Sequence, residues 1–120
     1  MQIAKPSEIK PEVENRPLFS GKVTRQTLVS ANTGKNFNAS LINFAPGARN
    51  KFHTHTSDQM LIVTAGKGIV ATEKQEFSVG VGDVILIPAG ENHWHGAAKD
   101  SSFSHISIQP KESQTTQLEK

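Results

Sequence analysis

Two histidine pairs give the sequence its clearest chemical signal. The stretch "HTHTSDQ" contains His53, His55 and Gln59, and the stretch "HWH" contains His93 and His95. Residues i and i+2 lie on the same face of a strand, whereas in a helix they point in nearly opposite directions. On a strand, each pair could therefore bind one metal ion. The alternative is that the pairs are polar side chains on an exposed edge strand.

The absence of cysteine limits the ligands that a metal could have. The chain has no thiolate and forms no disulfide, so any metal must be held by nitrogen and oxygen atoms. Imidazole nitrogens together with oxygen donors suit manganese, iron, zinc, nickel or copper, and the order of metal affinities does not choose between them. The residue types therefore predict a first-row divalent ion without naming it.

The overall composition excludes several classes of partner. The chain has 120 residues, 13 Lys and Arg against 11 Asp and Glu, and a net charge of +2. This length predicts one domain with one core. The basic residues are scattered, so we expect neither a nucleic-acid partner nor a membrane partner. The first residues lack the apolar core of a signal peptide, which predicts a cytoplasmic location.

The elements that must position the histidines have the pattern of strands. Apolar residues alternate or form short runs between Gly, Pro, Asn and Asp, and no long amphipathic helix is visible. Many short strands at this spacing predict an all-β sandwich or barrel. We predict an extended N-terminal arm over residues 1–17, a β domain over 18–109 and a polar, solvated tail over 110–120. The predicted strands are "KVTRQTLVS", "NFNASLINFA", "MLIVTAG", "GIVATE", "EFSV", "DVILIPA" and "SFSHISIQ".

Two spaced blocks carry a family resemblance. From Gly47 to Gly66 the chain follows G-x5-H-x-H-x3-Q-x6-G, and from Gly82 to His93 it follows G-x5-P-x-G-x2-H. These blocks resemble the paired motifs of the cupin superfamily, whose members are small jelly-roll β-barrels that hold one divalent metal in the barrel mouth. The resemblance implies that residues 18–109 form a single-domain cupin barrel.

The same resemblance implies a ligand set of His53, His55, Gln59 and His93 for one divalent ion per chain. The common cupin motif has glutamate where this chain has Gln59. A neutral amide leaves the ion with its full double charge, so the ion is a stronger Lewis acid but is bound less tightly. The resemblance makes manganese the expected metal, followed by iron, with zinc and nickel also compatible. The alternative for Gln59 is a cupin that has lost its metal.

Longer stretches narrow the resemblance. The runs "HTHTSDQMLIVTAGKG", "GDVILIPAGENHWHGAA" and "HISIQ" are similar to the small bacterial cupin hydroxynitrile lyases, in which three histidines and one glutamine bind manganese. This similarity implies that His105 transfers the proton. The implied reaction splits a cyanohydrin into an aldehyde and HCN, with His105 accepting the hydroxyl proton.

Several other side chains have two interpretations. His95 is predicted to lie beside the metal rather than to bind it, although its spacing from His93 allows both. From the residues, His105 could be a core histidine, whereas the cupin resemblance places its strand across the barrel from the metal and implies a general acid or base. Asn50 is predicted to cap a turn, the alternative being that it orients a substrate. Candidate pocket walls are Ser40, Ile42, Phe44 and Met60.

The predicted function is therefore a metal-dependent lyase that acts on a small hydroxy or carbonyl compound. Two alternatives are kept: an Fe(II)-dependent cupin dioxygenase, and a non-catalytic cupin that binds a small metabolite. The expected partners are a small-molecule substrate and further copies of the chain, in a dimer or a tetramer, because cupins commonly pair through strands.

Overall fold

Strands make up nearly all of the regular structure. The computed structural model describes all of residues 1–120. A 3-10 turn at Pro6–Glu8 precedes the strands β1 (Glu12–Val13), β2 (Phe19–Ser20), β3 (Val23–Val29), β4 (Phe37–Phe44), β5 (Arg49–Asn50), β6 (His53–His55), β7 (Gln59–Thr72), β8 (Glu76–Gly80), β9 (Val84–Ile87), β10 (His93–Ala97), β11 (Phe103–Pro110) and β12 (Thr115–Gln117). The predicted all-β class is confirmed.

The strands form two antiparallel sheets that share β7. One sheet contains β1, β3, β4, β11, β7 and β9 in that order, and the other joins β7 to β8 and β10, with β5, β2, β6 and β12 beyond. A sheet that continues from one half into the other encloses a single interior, as in a jelly roll. All pairings are antiparallel, so neighbouring side chains alternate between this interior and the outside.

Strand β7 corrects one prediction. The sequence predicted two strands separated by a turn at "AGKG", but the structure has one strand of 14 residues. The chain bends at Gly66, whose φ is +72°, and the strand passes there from β11 to β10 as its partner. A Cβ atom at Gly66 would lie 1.8 Å from the carbonyl oxygen of Ser102. Glycine therefore lets the strand change sheets where a turn was expected.

The apolar core fills one end of the interior. Val23, Phe44 and Phe103 lie opposite one another on β3, β4 and β11, and each is at most 2% exposed. The aromatic rings of Phe44 and Phe103 are 5.8 Å apart. Burial of such side chains is the main stabilising contribution in a domain of this size. This end of the barrel is therefore closed.

The next row along the same strands begins the polar half. Arg25, Ile42 and His105 lie opposite one another, two residues on from the core row. Because side chains two residues apart on a strand share a face, all three belong to the interior face. The sheet thus places a cation and a histidine on either side of Ile42.

The outer face of the β7–β9 pair carries an apolar patch. Met60 pairs with Leu86 and Ile62 pairs with Val84, and the side chains of Met60, Leu86 and Val84 are exposed. We call these four residues the outer apolar face. Met60 was predicted as a pocket wall, which is wrong, because alternation along β7 points it away from its buried neighbour Leu61.

Both terminal segments contact the β domain. In the arm, β1 pairs with β3, and the Gln26 amide donates hydrogen bonds to the carbonyl oxygens of Pro6 and Ile9 at 2.7 and 2.8 Å. In the tail, β12 pairs with β6, although its side chains are exposed. The backbone of the tail therefore pairs with the β domain, whereas the side chains of β12 face the solvent. No helix in the chain is long and apolar enough to cross a membrane.

Candidate metal centre

Three histidines converge where β6 meets β10. His53 and His55 share one face of β6, and His93 lies opposite His53 on β10. Their candidate ligand atoms all lie within 4.8 Å of one another, and all three side chains are buried. The ring centroid of His53 is 4.8 Å from that of His55 and 4.2 Å from that of His93. The H-x-H spacing on a strand therefore directs both imidazoles to the same face, toward His93.

Hydrogen bonds fix the orientation of each ring. The Nδ1 atoms of His53 and His93 lie 2.6 and 2.8 Å from the carbonyl oxygens of Lys51 and Glu91. A carbonyl only accepts, so both Nδ1 atoms carry the proton and both Nε2 atoms have a free lone pair. This is the tautomer that a metal-binding histidine needs, and outer hydrogen bonds of this kind are typical of metal sites.

The third ring is held by the C-terminal segment. The Nδ1 atom of His55 lies 2.9 Å from the hydroxyl oxygen of Thr115, which belongs to β12. The sequence offered no signal for this contact, because 60 residues separate the two positions. A polar segment at the end of a chain has the composition of a solvated tail whether or not it pairs. Only the tertiary structure shows that Thr115 supports the site.

Gln59, at the start of β7, points its amide into the same region. Its Nε2 atom donates to the hydroxyl of Ser107 at 2.8 Å, which leaves Oε1 free. This Oε1 atom and the Nε2 atoms of His55 and His93 are all buried without a hydrogen-bond partner. Buried acceptors without a partner are rare, because each loses its hydration without compensation. A divalent cation would satisfy all three, so the residues fit the metal that the sequence implied.

The electrostatics of the cluster also fit a cation. Burial, followed by the proximity of His93, lowers the pKa of His53 to about 3 and that of His55 to about 4. Burial likewise lowers the pKa of His93. The three imidazoles are therefore neutral at neutral pH, and metal binding needs no proton to be removed from them.

His95 and His105 form a second, adjacent pair. The Nε2 atom of His105 lies 3.0 Å from Nδ1 of His95, and both side chains are at most 3% exposed. The ring centroid of His95 lies 5.8 Å from that of His53. His95 is therefore placed between the metal cluster and His105, where it can orient the latter.

Asn50 corrects another prediction. It was predicted to cap a turn, but it lies in β5, is 3% exposed, and accepts the backbone N–H of His95 at 2.8 Å through Oδ1. Its Nδ2 atom is 3.2 Å from Nε2 of His95. An Asn that follows a Pro-Gly turn has the same local signature in both roles, so the sequence could not separate them.

A cavity of about 360 Å³ opens beside these side chains. Such a volume suits a small ligand, since ligand pockets span about 300–1,000 Å³. Of the predicted pocket walls, Ile42 lines the cavity, whereas Ser40 and Phe44 are buried but do not line it. The residues that line the cavity include His53, His55, Gln59, His95, His105 and Ser107, together with Glu14, Arg16 and Arg25.

His105 is fully buried between Phe44 and Phe103, with ring centroids 5.4 and 5.6 Å away. Burial lowers its pKa to about 3, and the positive charge of Arg25 contributes to the shift. Its Nδ1 atom has no hydrogen-bond partner. A neutral imidazole that lines a cavity can accept a proton there. The two interpretations of His105, as core residue and as proton acceptor, are thus compatible in one position.

Comparisons with known proteins show the family of this chain. A family model described as the cupin domain matches residues 40–109. Over 94 residues the chain is 38% identical to the (R)-mandelonitrile lyase of Granulicella tundricola, which covers 78% of this chain and 72% of that protein. Over 48 residues it is 42% identical to an acireductone dioxygenase of Leptospira biflexa, covering 37% of this chain and 27% of that protein.

Solved structures agree on the fold. A cupin-like protein from Thermotoga maritima superimposes with a TM-score of 0.84 at 34% identity and covers 89% of this chain and 84% of its own. A polyketide cyclase from Streptomyces resistomycificus superimposes with a TM-score of 0.88 at 20% identity, covering 98% of this chain and 85% of its own. The first similarity extends to sequence, whereas the second is one of fold alone.

Proposed function

The chain belongs to the cupin domain family, and from this premise we propose that it is a metal-dependent lyase of the hydroxynitrile lyase type. Its substrate would be a small hydroxy or carbonyl compound, and the reaction would split a cyanohydrin into an aldehyde and HCN. One observation carries the proposal. The ligand atoms of His53, His55 and His93 lie within 4.8 Å of one another, and Gln59, whose Oε1 is buried without a partner, lines the same cavity as His55 and His105.

The proposed ligands are His53, His55, Gln59 and His93, and the proposed ion is manganese or, second, iron. When bound, this ion would supply Lewis acidity toward the hydroxyl or carbonyl oxygen of the substrate. All four ligands are neutral, so none of them offsets the charge of the ion. Ser107 keeps the Gln59 amide in the orientation in which oxygen, rather than nitrogen, is available.

His105 is the proposed proton carrier. It takes the proton of the cyanohydrin hydroxyl, the electrons of the O–H bond form the carbonyl, and cyanide leaves with the electron pair of the carbon–carbon bond. His105 then returns the proton to cyanide, so atoms and charges balance. Because burial lowers its pKa to about 3, His105 is neutral before the substrate binds, which is the form that can accept a proton. His95 holds the His105 ring through its Nδ1 atom, and Asn50 in turn accepts the backbone N–H of His95.

The test is cleavage of mandelonitrile, the compound in the name of the Granulicella relative, by manganese-loaded protein, followed by the absorbance of benzaldehyde. We expect His105→Gln to lower kcat/KM by about 100-fold, the lower limit for a lost general base, with unchanged manganese content. Lys22→Gln is the control, since Lys22 is exposed and lies outside the cavity. Full activity of His105→Gln, or no cleavage by the manganese-loaded wild type, would contradict the proposal.

A dioxygenase is the second candidate, supported by the 48-residue similarity to the Leptospira protein. It requires a redox-active ion and free coordination positions. Oxygen uptake by the iron-loaded protein, absent from the manganese-loaded protein, would favour it over the lyase. A non-catalytic binding protein would instead hold its ligand after the metal is removed by a chelator.

A further inference from the structure

A three-residue charged cluster lies at the cavity on the side of the N-terminal arm. The Oε2 atom of Glu14 accepts from Nη2 of Arg16 at 2.5 Å and from Nη2 and Nε of Arg25 at 2.9 and 3.2 Å. All three residues line the cavity. The carboxylate of Glu14 is 11% exposed, compared with 33% for Arg25 and 54% for Arg16. We call these residues the mouth cluster.

The cluster is not neutral. Although burial of Glu14 opposes ionisation, the hydrogen bonds and charges of the two arginines outweigh it and lower its pKa, so the carboxylate is ionised. Glu14 is the one acidic residue among the cavity-lining side chains. The lining histidines His53, His55 and His105 are neutral because their pKa values lie at about 3 to 4. Two guanidinium groups against one carboxylate leave one positive charge in the cavity wall.

Arg25 lies two strands away from the proposed proton carrier, His105. It lies on β3 opposite Ile42, and Ile42 lies on β4 opposite His105 on β11. Neighbouring strands are about 4.8 Å apart, so the backbones of Arg25 and His105 are about 10 Å apart. A guanidinium group has five N–H donors, and Glu14 engages only Nε and one N–H of Nη2. Arg25 therefore keeps donors free within reach of a small molecule bound at His105.

We propose that Arg25, assisted by Arg16, binds a carboxylate of the substrate, so that the site takes an anionic hydroxy or carbonyl compound in preference to a neutral one. This inference rests on the proposed function, which locates the reacting group at the metal and His105. It specifies in addition that the substrate is negatively charged. Glu14 has two roles in it. It holds both guanidinium groups at the mouth when the site is empty, and it competes with the substrate carboxylate for their N–H donors.

The polar wall around the cluster supports an anionic ligand. Asn38, Ser107 and Gln109 line the same cavity, and few of its lining residues are hydrophobic. Leu18, Phe19 and Ile42 can contact an aromatic ring, whereas the polar remainder of the wall favours a substrate that also carries a charge. A carboxylate gains hydrogen bonds to a cation, which are about twice as strong as those between neutral groups.

The test measures binding of two ligands of equal shape, mandelate and mandelamide, to the manganese-loaded protein by calorimetry. We expect wild type to prefer mandelate. In Arg25→Gln, mandelate should bind about tenfold more weakly, which corresponds to about 1.4 kcal/mol, while mandelamide binding stays unchanged. Glu14→Gln should have the opposite effect and strengthen mandelate binding, because the competing carboxylate is gone. Lys22→Gln changes the net charge by the same amount as Arg25→Gln and should leave both affinities unchanged.

Each result decides the inference. If mandelate bound only through manganese, its preference over mandelamide would be the same in Arg25→Gln as in wild type, and the inference would be overturned. Weaker mandelate binding in both Arg25→Gln and Glu14→Gln would also overturn it, since that pattern indicates a purely structural ion pair. The proposed function fails on a different measurement, the cleavage of neutral mandelonitrile, so the two failures can be told apart.

Discussion

The pH dependence of stability gives a direct measure of how His105 is buried. In the unfolded chain its pKa is the ordinary 6.5, and in the folded protein burial lowers it to about 3. Between these values the unfolded chain binds a proton that the folded protein does not. Stability must therefore fall as the pH falls from about 6.5 toward 3, and it rises with pH over the same range.

The size of the effect follows from the two pKa values. Proton binding to His105 in the unfolded state stabilises that state by about 2 kcal/mol at pH 5 and by only about 0.2 kcal/mol at pH 7. The His105→Gln variant lacks this group, so it should lose about 2 kcal/mol less stability than wild type between pH 7 and pH 5. His53, His55 and His93 contribute to both proteins and largely cancel in the difference. The contribution of His95 changes, because the proximity of His105 adds to the effect of burial in lowering the pKa of His95.

The assay is urea unfolding of metal-free wild type and His105→Gln at pH 5, 6 and 7, followed by circular dichroism. Ser107→Ala is the matched control, because Ser107 is a buried polar residue on the same strand that does not titrate. It should lower stability equally at every pH. Equal losses of stability in wild type and His105→Gln from pH 7 to pH 5 would refute the reasoning, since His105 would then titrate normally in the folded protein.

Four further predictions test the site and the fold. Gln59→Glu should bind manganese about tenfold more tightly, because a charged ligand replaces a neutral one, and should cleave mandelonitrile more slowly; metal titration and kinetics check this, and weaker binding would contradict it. Thr115→Val removes the acceptor that orients His55 and should weaken metal binding about 10–100-fold in the same metal titration. Unchanged affinity would show that Thr115 does not support the metal site. Gly66→Ala should lower the free energy of unfolding by about 2–4 kcal/mol, because φ is +72° and the new Cβ atom would meet a carbonyl oxygen; urea unfolding measures it, and unaltered stability would show that the bend is tolerant. We also propose that the outer apolar face pairs with a second copy of the chain. Leu86→Glu should then reduce the mass measured by light scattering from that of an oligomer to that of a monomer. A monomeric wild type would contradict the proposal.

The sequence predicted those parts of the site that are encoded in local spacing. His53 and His55 share a face because a strand alternates, and the fixed distance to Gln59 brings its amide to the start of the next strand. His93 joins them because antiparallel pairing places it opposite His53. Motif spacing captures such relations, since each depends on a short segment with a defined geometry.

The supporting residues could not be predicted, because they come from distant parts of the chain. Thr115 reaches His55 across 60 residues, and Arg25 reaches Glu14 across 11. Neither contact leaves a periodic pattern, since each depends on which strand edge a terminal segment meets. Gly66 shows a different limit of sequence-based prediction. A glycine at this position indicated a turn, and only the pairing of β7 with both β11 and β10 shows that it allows a bend within one strand.

The distribution of charge links the metal centre to the mouth cluster. A glutamate in place of Gln59 would neutralise part of the ion's charge at the point where an anionic substrate would arrive. With Gln59, the double charge of a bound ion and the surplus positive charge beside Arg25 would act on the substrate together, and Glu14 is the one acidic residue that lines the cavity. The one acidic side chain of the cavity, Glu14, is engaged by both arginines at its edge. In the proposed site, the amide at position 59 and the arginine at position 25 would therefore act together, favouring negative charge both on the reacting oxygen and on the substrate carboxylate.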